Sequence, residues 1–264
     1  MISICIPVRN GGHIKELLDS LFNSTYNDFE VIISNATSDN AISEIIKEYN
    51  VKEIIVPTST GLFMGRNIPH RQASGEYELM LDETRIISRD LLEKLNNLKY
   101  DMVAIGEEEV VESHWTYLAN IDKESIYEIS EPKFNGYVLP RYFKKRILDS
   151  AFESIENKLP NDILNRVIYD DHQIVSYESF KISKNIYYLK DKLIKHYGDN
   201  SLNDIIKKYH RYGHSSRVLI GTPYEFVFKY RSHKRSNVNV KTKIKTLPLF
   251  LARGVPFLIG RLGI

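Results

Sequence analysis

The sequence predicts an α/β fold with a mostly parallel β-sheet and helices packed on both of its faces. Through the first hundred residues, short apolar runs alternate with segments of helical periodicity, which is typical of repeated strand–helix–strand units. The chain has 264 residues, enough for one such domain with an appended element. Apolar residues make up 42% of the sequence and charged residues 27%, as in folded proteins rather than disordered ones.

The first half of the chain contains four predicted strands. They are residues 2–8, 29–34, 52–57 and 76–81. Apolar positions at helical spacing predict helices that follow each strand and begin near residues 14, 42, 63 and 91. Pro69 is expected to interrupt the third of these helices, because proline lacks the backbone N–H of the helical ladder.

The regular alternation of predicted strands and helices becomes less clear after an apolar run at 102–105. Three consecutive glutamates at 107–109 are interpreted as a solvated edge of the sheet. The remaining predictions are a strand passing into a helix over 137–148, a helix from about residue 168, a strand over 181–189 and a helix over 201–213. Gly213 is expected to end that last helix.

The charge is divided unevenly along the chain. The net charge of +2 combines residues 1–204, with 23 Lys and Arg against 33 Asp and Glu, and residues 205–264, with 13 basic residues and one acid, Glu225. An acidic body of −10 and a basic tail of +12 indicate an anionic partner at the C-terminal end. The single cysteine, Cys5, excludes an internal disulfide framework and a cysteine-rich zinc site.

The residues just after the predicted strands lie at the edge where ligands bind in open α/β sheets. They are residues 7–10, 34–39, 58–61 and 82–84, and they include Pro7, Val8, Arg9, Asn10, Asn35, Asp82, Glu83 and Thr84. A guanidinium such as that of Arg9 can pair with phosphate groups. This edge is therefore the candidate ligand site.

Four segments, in order along the chain, resemble family 2 glycosyltransferases of the GT-A fold. They are IPVRN at 6–10, IISNATSDN at 32–40, GLFMGRNIPHRQASGEYELMLDET at 61–84 and YDDHQI at 169–174. The resemblance covers residues 2–215 and is most specific between 61 and 84. It implies a Rossmann-like glycosyltransferase domain over 1–215, with a nucleotide-binding half (1–100) and an acceptor half (101–215), followed by a basic amphipathic extension (216–264).

The resemblance also implies an activity: transfer of a sugar from a nucleoside diphosphate donor to a hydroxyl or phosphate of a glycan or lipid-linked acceptor, with inversion. The donor-binding residues that it implies are Pro7, Val8, Arg9, Asn10, Asn35, Arg66, Asp82 and Glu83. Asn35 stands where the family usually has a carboxylate that contacts the base. Its amide oxygen can still accept a hydrogen bond from the base, but the negative charge is lost and an N–H donor is added.

The triplet Asp82, Glu83 and Thr84 stands where the family has its Asp-x-Asp signature, which implies a divalent cation, Mg²⁺ or Mn²⁺. Thr84 replaces the last acid, and a neutral hydroxyl is a much poorer ligand. Three alternatives remain: Glu83 substitutes for that acid, Thr84 binds through water, or the metal is held weakly. His196 resembles a histidine that in some members reaches the metal or the diphosphate.

Asp171 matches the second acid of the family's Glu-Asp pair and is the candidate general base. An inverting transfer needs a carboxylate that deprotonates the acceptor hydroxyl as it attacks. The alternative is that Asp170 and Asp171 only stabilise the start of a helix. The altered signature also leaves a second functional class open: a GT-A-like protein that binds a nucleotide or glycan with little or no catalysis.

The basic run at 229–245 precedes an apolar segment at 247–264 that is broken by arginines, glycines and a proline. This combination suits an anionic membrane surface, and packing on the body or on a second subunit is the alternative. Nucleic acid is not expected as a partner, because no nucleic-acid motif accompanies the basic run. We expect a cytoplasmic protein without a secretory signal, peripheral on the cytoplasmic face of a membrane.

Overall fold

The computed structural model describes residues 1–132, 138–229 and 237–264. Within them, one sheet is covered by helices on both faces, as the sequence predicts. Its strands are β1 (Ile2–Val8), β2 (Phe29–Asn35), β3 (Lys52–Ile55), β4 (Tyr77–Met80), β5 (Arg85–Ile87), β6 (Met102–Glu109), β7 (Pro140–Lys144) and β8 (Ile186–His196). The longer helices are α1 (Ile14–Phe22), α2 (Asn40–Lys47), α3 (Leu62–His70), α4 (Leu91–Asn97), α5 (His114–Ile129), α6 (Lys145–Glu156), α8 (Asp171–Ile182), α9 (Leu202–Ser216) and α12 (Leu247–Leu262). Three short helices, α7 (Asn161–Leu164), α10 (Phe226–Lys229) and α11 (Val240–Lys245), lie between them.

Across the sheet the strands follow the order β3-β2-β1-β4-β7-β6-β8-β5. β3, β2, β1 and β4 are parallel, and these are the four strands predicted in the first half. β7 runs antiparallel between β4 and β6, β8 is parallel to β6, and β5 pairs antiparallel with β8. The carboxyl ends of β1 and β4 are therefore adjacent, and the loops that follow them meet at one edge.

Two apolar cores lie on opposite faces of this sheet. The side chains of Leu79 and Tyr142 pack on the core that α1, α2 and α4 cover. Their neighbours Met80 and Phe143 pack on the core that α3, α6 and α8 cover. Successive side chains of a strand point to opposite faces, so continuous apolar strands need a helical layer on each side.

Three local predictions are wrong. Pro69 does not interrupt α3, because it lies in the last turn of that helix. Residues 181–189 are not one strand: α8 continues to Ile182, and β8 begins at Ile186. Gly213 does not end α9, which continues to Ser216. α9 crosses α12 at Gly213, and a Cβ there would overlap the carbonyl oxygen of Phe257, so the close approach of the two helices requires glycine.

The C-terminal segment folds back onto the body. α12 packs on α9 through Leu249, Phe257 and Gly260, while the opposite side of α12 is exposed. No helix in the described ranges is long and apolar enough to cross a membrane. Four members of the predicted basic run, Arg231, His233, Lys234 and Arg235, lie outside the described residues.

Candidate functional site

A cavity of about 640 Å³ opens at the carboxyl ends of β1 and β4. The loop after β1 lines it with Pro7, Arg9 and Asn10, and the loop after β4 lines it with Asp82, Glu83 and Thr84. Arg66 of α3, Asp171 of α8 and His196 of β8 also line it. The structure therefore gathers residues from most of the motifs identified in the sequence around one cavity.

Arg66 joins the motif at 61–84 to the motif at 169–174. Its Nε lies 2.5 Å from Oδ2 of Asp171, and its Nη2 donates to Oδ1 of Asp82. The side chains of Arg66 and Asp171 are each only 5% exposed. Ion pairs in such an environment hold their groups in a fixed geometry. Arg66 thus sets the position of Asp171, the candidate base, relative to the end of β4.

Glu83 orders the loop after β1. Its carboxylate accepts hydrogen bonds from the backbone N–H groups of Arg9, Asn10 and Gly11, at 3.0, 3.0 and 2.8 Å. Gly11 has a φ of +71°, a conformation that other residues rarely adopt. The loops after β1 and β4 are therefore joined through Glu83, and both of its oxygens are used.

Two of the expected donor-binding residues do not line the cavity. Val8 is buried at the end of β1, and Asn35 is buried at the end of β2 beside it. The Asn35 amide donates to Oε1 of Glu53 at 2.8 Å and accepts from the N–H of Thr37 at 2.9 Å. Asn35 thus organises the end of β2, and its contact with a base stays a prediction.

His196 lies in a buried polar triad. Its Nδ1 is 2.8 Å from Oε2 of Glu109, whose Oε1 is 2.7 Å from Nζ of Lys123. Burial, and after it the charge of Lys123, lowers the pKa of His196 to about 4. Burial acts to raise the pKa of Glu109, but His196 and Lys123 outweigh it and lower that pKa to about 2. At neutral pH a neutral His196 therefore donates its Nδ1 proton to a charged carboxylate.

The glutamates at 107–109 are not a solvated edge, and that prediction is wrong for two of them. Glu107 is 3% exposed and Glu109 is 8% exposed. Glu107 pairs with Arg85, Arg141 and Lys123. Burial opposes ionisation of Glu107, yet Arg141, Arg85 and Lys123 hold its pKa well below the usual range.

Arg85 and Arg141 are site residues that the sequence reasoning missed. Both line the cavity, and both contact Oδ2 of Asp82, with Arg141 at 3.8 Å. Burial, and after it the charge of Arg141, lowers the pKa of Arg85 to about 10. Arg85 directly follows the Asp82–Thr84 triplet, and that adjacency was the available signal.

A second missed feature is the wall that α9 contributes. It carries Lys207, Lys208, Arg211 and Tyr212 into the lining of the cavity. Tyr212 stacks on Tyr169, with ring centroids 4.3 Å apart. The helix was predicted from its periodicity, but its place beside the cavity depends on packing that the local pattern does not encode.

The expected cation ligands do not form a coordination set. Oδ1 of Asp82 accepts from Arg66 and Oδ2 from Arg85, while Glu83 is held by backbone N–H groups. Thr84 is neutral, and His196, whose Nδ1 is bound by Glu109, could offer a metal only one ligand atom, Nε2. Within the described ranges, no three His, Cys, Asp or Glu side chains are grouped to hold a metal ion. Hard divalent cations need several free oxygen ligands, so these residues do not fit the implied metal site.

Sequence comparisons find one family model and two curated relatives that each match part of the chain. The model of glycosyl transferase family 2 matches residues 3–115. An uncharacterized glycosyltransferase from Rickettsia bellii is 32% identical over 151 residues, which are 53% of this chain and 20% of that protein. Glycosyltransferase GlyA from Streptococcus pneumoniae is 26% identical over 58% of this chain and 21% of that protein. The chain thus spans about a fifth of the length of these relatives.

Solved structures share the fold at low sequence identity. S. aureus TarS 1–349 in complex with UDP has a TM-score of 0.58 at 16% identity, over 98% of this chain and 80% of that one. The mannosyltransferase PcManGT from Pyrobaculum calidifontis, in complex with GDP-Man and Mn²⁺, has a TM-score of 0.57 at 15% identity, over 96% and 75%. These similarities extend the matched fold across nearly the whole chain.

Proposed function

We propose that this chain, whose residues 3–115 match the model of glycosyl transferase family 2, transfers a sugar from a nucleoside diphosphate donor to an acceptor hydroxyl or phosphate. The observation that carries the proposal is the buried bridge from Asp82 through Arg66 to Asp171 inside a 640 Å³ cavity. It joins the motif after β4 to the first turn of α8. A carboxylate fixed in a large polar cavity suits proton abstraction from a bound hydroxyl.

The donor is proposed to lie along the loop after β1, with its diphosphate toward Asp82. Arg9 lines this part of the cavity, and its Nη1 is 3.4 Å from the carbonyl oxygen of Thr60. Burial, and after it the charge of Arg211, lowers the pKa of Arg9. Two cations that line one cavity and act on each other electrostatically favour an anion between them. A divalent cation is not part of this proposal, because the donor set does not fit one.

Asp171 is proposed as the general base of an inverting displacement. Its Oδ2 accepts from Arg66, which orients the carboxylate, and we assign to Oδ1 the proton of the acceptor hydroxyl. The acceptor oxygen then bonds to the anomeric carbon as the bond from that carbon to the diphosphate oxygen breaks. The electron pair of the broken bond stays on the departing nucleoside diphosphate, and the proton stays on Asp171.

The test uses UDP-GlcNAc and GDP-mannose, the sugar nucleotides of the TarS and PcManGT structures, with donor hydrolysis as the readout. Asp171→Asn should lower the rate by roughly 10²–10⁴-fold, the usual contribution of a general base, with nucleotide affinity retained. Asp162→Asn, on the exposed surface of α7, is the matched control. Full activity of a folded Asp171→Asn variant contradicts the assignment of the base. Tight nucleotide binding without turnover of either donor favours the alternative, a binding module.

We further propose that α12 lies on an anionic membrane surface and brings the cavity to a lipid-linked acceptor. One side of the helix is exposed and apolar. Its large exposed residues are Leu247, Phe250, Leu251, Val255, Leu258, Ile259 and Leu262. Lys241 and Lys245 of α11, the helix that precedes α12, are exposed. Each basic residue near anionic lipid contributes about 1 kcal/mol to such binding.

Liposome flotation tests this proposal with phosphatidylcholine vesicles, with and without phosphatidylglycerol. The parent chain should float with the anionic vesicles, and the double variant Phe250→Asp/Leu258→Asp should not. Ile55→Asp places the same charge on another exposed apolar residue, 67% exposed on β3, and should leave flotation unchanged. Equal flotation of the parent and the double variant contradicts the proposal that α12 binds the membrane. A third outcome would indicate that α12 binds a second copy of the chain instead. In that case neither protein floats, the parent chain sediments as a dimer, and the double variant sediments as a monomer.

A further inference from the structure

The charge of the cavity does not match a site for a divalent cation. Its lining contains seven cationic side chains and five carboxylates, a net charge of +2. The cationic residues are Arg9, Arg66, Arg85, Arg141, Lys207, Lys208 and Arg211, and the acidic residues are Asp82, Glu83, Asp171, Asp199 and Asp204. A diphosphate diester carries one negative charge on each phosphate and balances this excess by itself. A bound dication would restore the imbalance.

Arg141 supplies a hydrogen-bond donor that the protein leaves unused. The side chain is 10% exposed, its Nε is bound by Glu107, and its buried Nη1 has no hydrogen-bond partner among the residues that the structure describes. Buried donors in folded proteins nearly always have partners, so an exception inside a ligand cavity indicates a group that a ligand completes. Nη1 lies 3.8 Å from Oδ2 of Asp82, at the end of β4.

Arg85 lies beside Arg141 and is held in the same way. Its Nε is 3.3 Å from Oε1 of Glu107, and its Nη1 pairs with Asp82. Asp82 and Glu107 thus fix two guanidinium groups side by side at the end of β4. Planar guanidinium groups fixed by carboxylates are suited to bidentate recognition of phosphate oxygens.

We propose that Arg85 and Arg141 neutralise the diphosphate of the donor in place of a divalent cation. This inference rests on the proposed function and names the groups that stabilise the leaving diphosphate. As the bond from the anomeric carbon breaks, negative charge grows on the oxygen of the leaving phosphate. The two guanidinium groups donate hydrogen bonds to that phosphate, while Asp171 holds the acceptor proton.

Calorimetric titration of the whole chain with UDP and with GDP tests the proposal, first in EDTA and then in excess Mn²⁺. The nucleotide that binds should do so with the same Kd in both conditions, within about twofold. Arg141→Gln should raise that Kd in EDTA by about tenfold or more, because it removes a charged hydrogen-bond donor. Arg141→Lys keeps the positive charge beside Glu107 but loses the planar group of several N–H donors, and it should give an intermediate Kd. Arg146→Gln, an exposed arginine on α6, should leave the Kd unchanged.

The outcomes separate this inference from the proposed function. Binding that requires Mn²⁺, with a loss of more than about tenfold in EDTA, overturns the arginine assignment and leaves the glycosyltransferase proposal in place. Failure of both nucleotides to bind in either condition overturns both proposals. The comparison of EDTA with Mn²⁺ uses the unaltered chain, so it decides the question even if the Arg141 variants do not fold.

Discussion

Glu107 should be among the most important single side chains for stability, although nothing in its sequence context suggests it. The substitution Glu107→Gln removes one charge from a carboxylate that is 3% exposed and pairs with Arg85, Arg141 and Lys123. Breaking a buried ion pair by removing one partner costs about 3–5 kcal/mol, since the other charge stays buried. We expect a loss of that size in the free energy of unfolding. It corresponds to a fall in Tm of roughly 10 °C in a chain of this size.

The assay is chemical denaturation monitored by tryptophan fluorescence and circular dichroism, repeated across pH. The pKa of Glu107 is lower in the folded chain than in the unfolded chain, where it lies near 4.5. Stability from the ionised carboxylate is therefore complete above that value and declines as the pH falls through the folded-state pKa. The difference between the parent chain and Glu107→Gln should be constant at neutral pH and shrink in acid.

Glu108→Gln is the matched control, one residue along β6, where the side chain points to the other face of the sheet. It should change the free energy of unfolding by less than about 0.5 kcal/mol, as is usual for residues outside such networks. If Glu107→Gln lowers the free energy of unfolding no more than Glu108→Gln does, the charge of Glu107 is not needed to stabilise the three buried cations. That result would refute the electrostatic account of this cluster.

Two further predictions concern the helix crossing and the buried histidine. Gly260→Ala should destabilise the chain by about 1–3 kcal/mol, because a Cβ there would overlap the carbonyl oxygen of His210. A Cβ at Gly254 has no atom of the described residues within 4 Å, so Gly254→Ala should be neutral or slightly stabilising. Thermal unfolding measures both, and equal Tm values would contradict the close approach of α9 and α12. Lys123→Met should raise the pKa of His196 above its value of about 4, because it removes the neighbouring cation while burial remains. An NMR titration of the imidazole follows this change, and an unchanged or lower pKa would show that Lys123 does not act on His196.

The parallel half of the sheet could be predicted because its evidence is local. Continuous apolar strands separated by helical periods identify β1 to β4, and the residues after β1 and β4 follow from them. Arg66, Asp82 and Asp171 were placed by motif, and the structure brings them into contact. Each of these predictions depends on a few adjacent residues, which is the range that a single sequence reports well.

The errors come from partners that are distant in the chain. Glu107 was interpreted as solvated because a run of acids usually is, yet its counter-charges come from β5, α5 and β7. From the sequence alone, Gly213 was interpreted as a helix stop. In the structure it is needed because the carbonyl oxygen of Phe257 in α12 leaves no room for a side chain there. In both cases the residue type was informative, but its meaning depended on an element whose position the local pattern does not specify.

Helix α9 connects two surfaces that are otherwise separate. One side carries Lys207, Lys208 and Arg211 along the cavity, and another side is locked against α12 where Gly213 meets Phe257. A backbone-to-backbone crossing without intervening side chains leaves little room for sliding. A surface that binds α12 therefore also fixes the orientation of the cavity and its distance from that surface. If α12 binds the proposed membrane surface, the crossing fixes the distance between that surface and the cavity. That distance then limits the proposed lipid-linked acceptors to those that project far enough to reach the cavity.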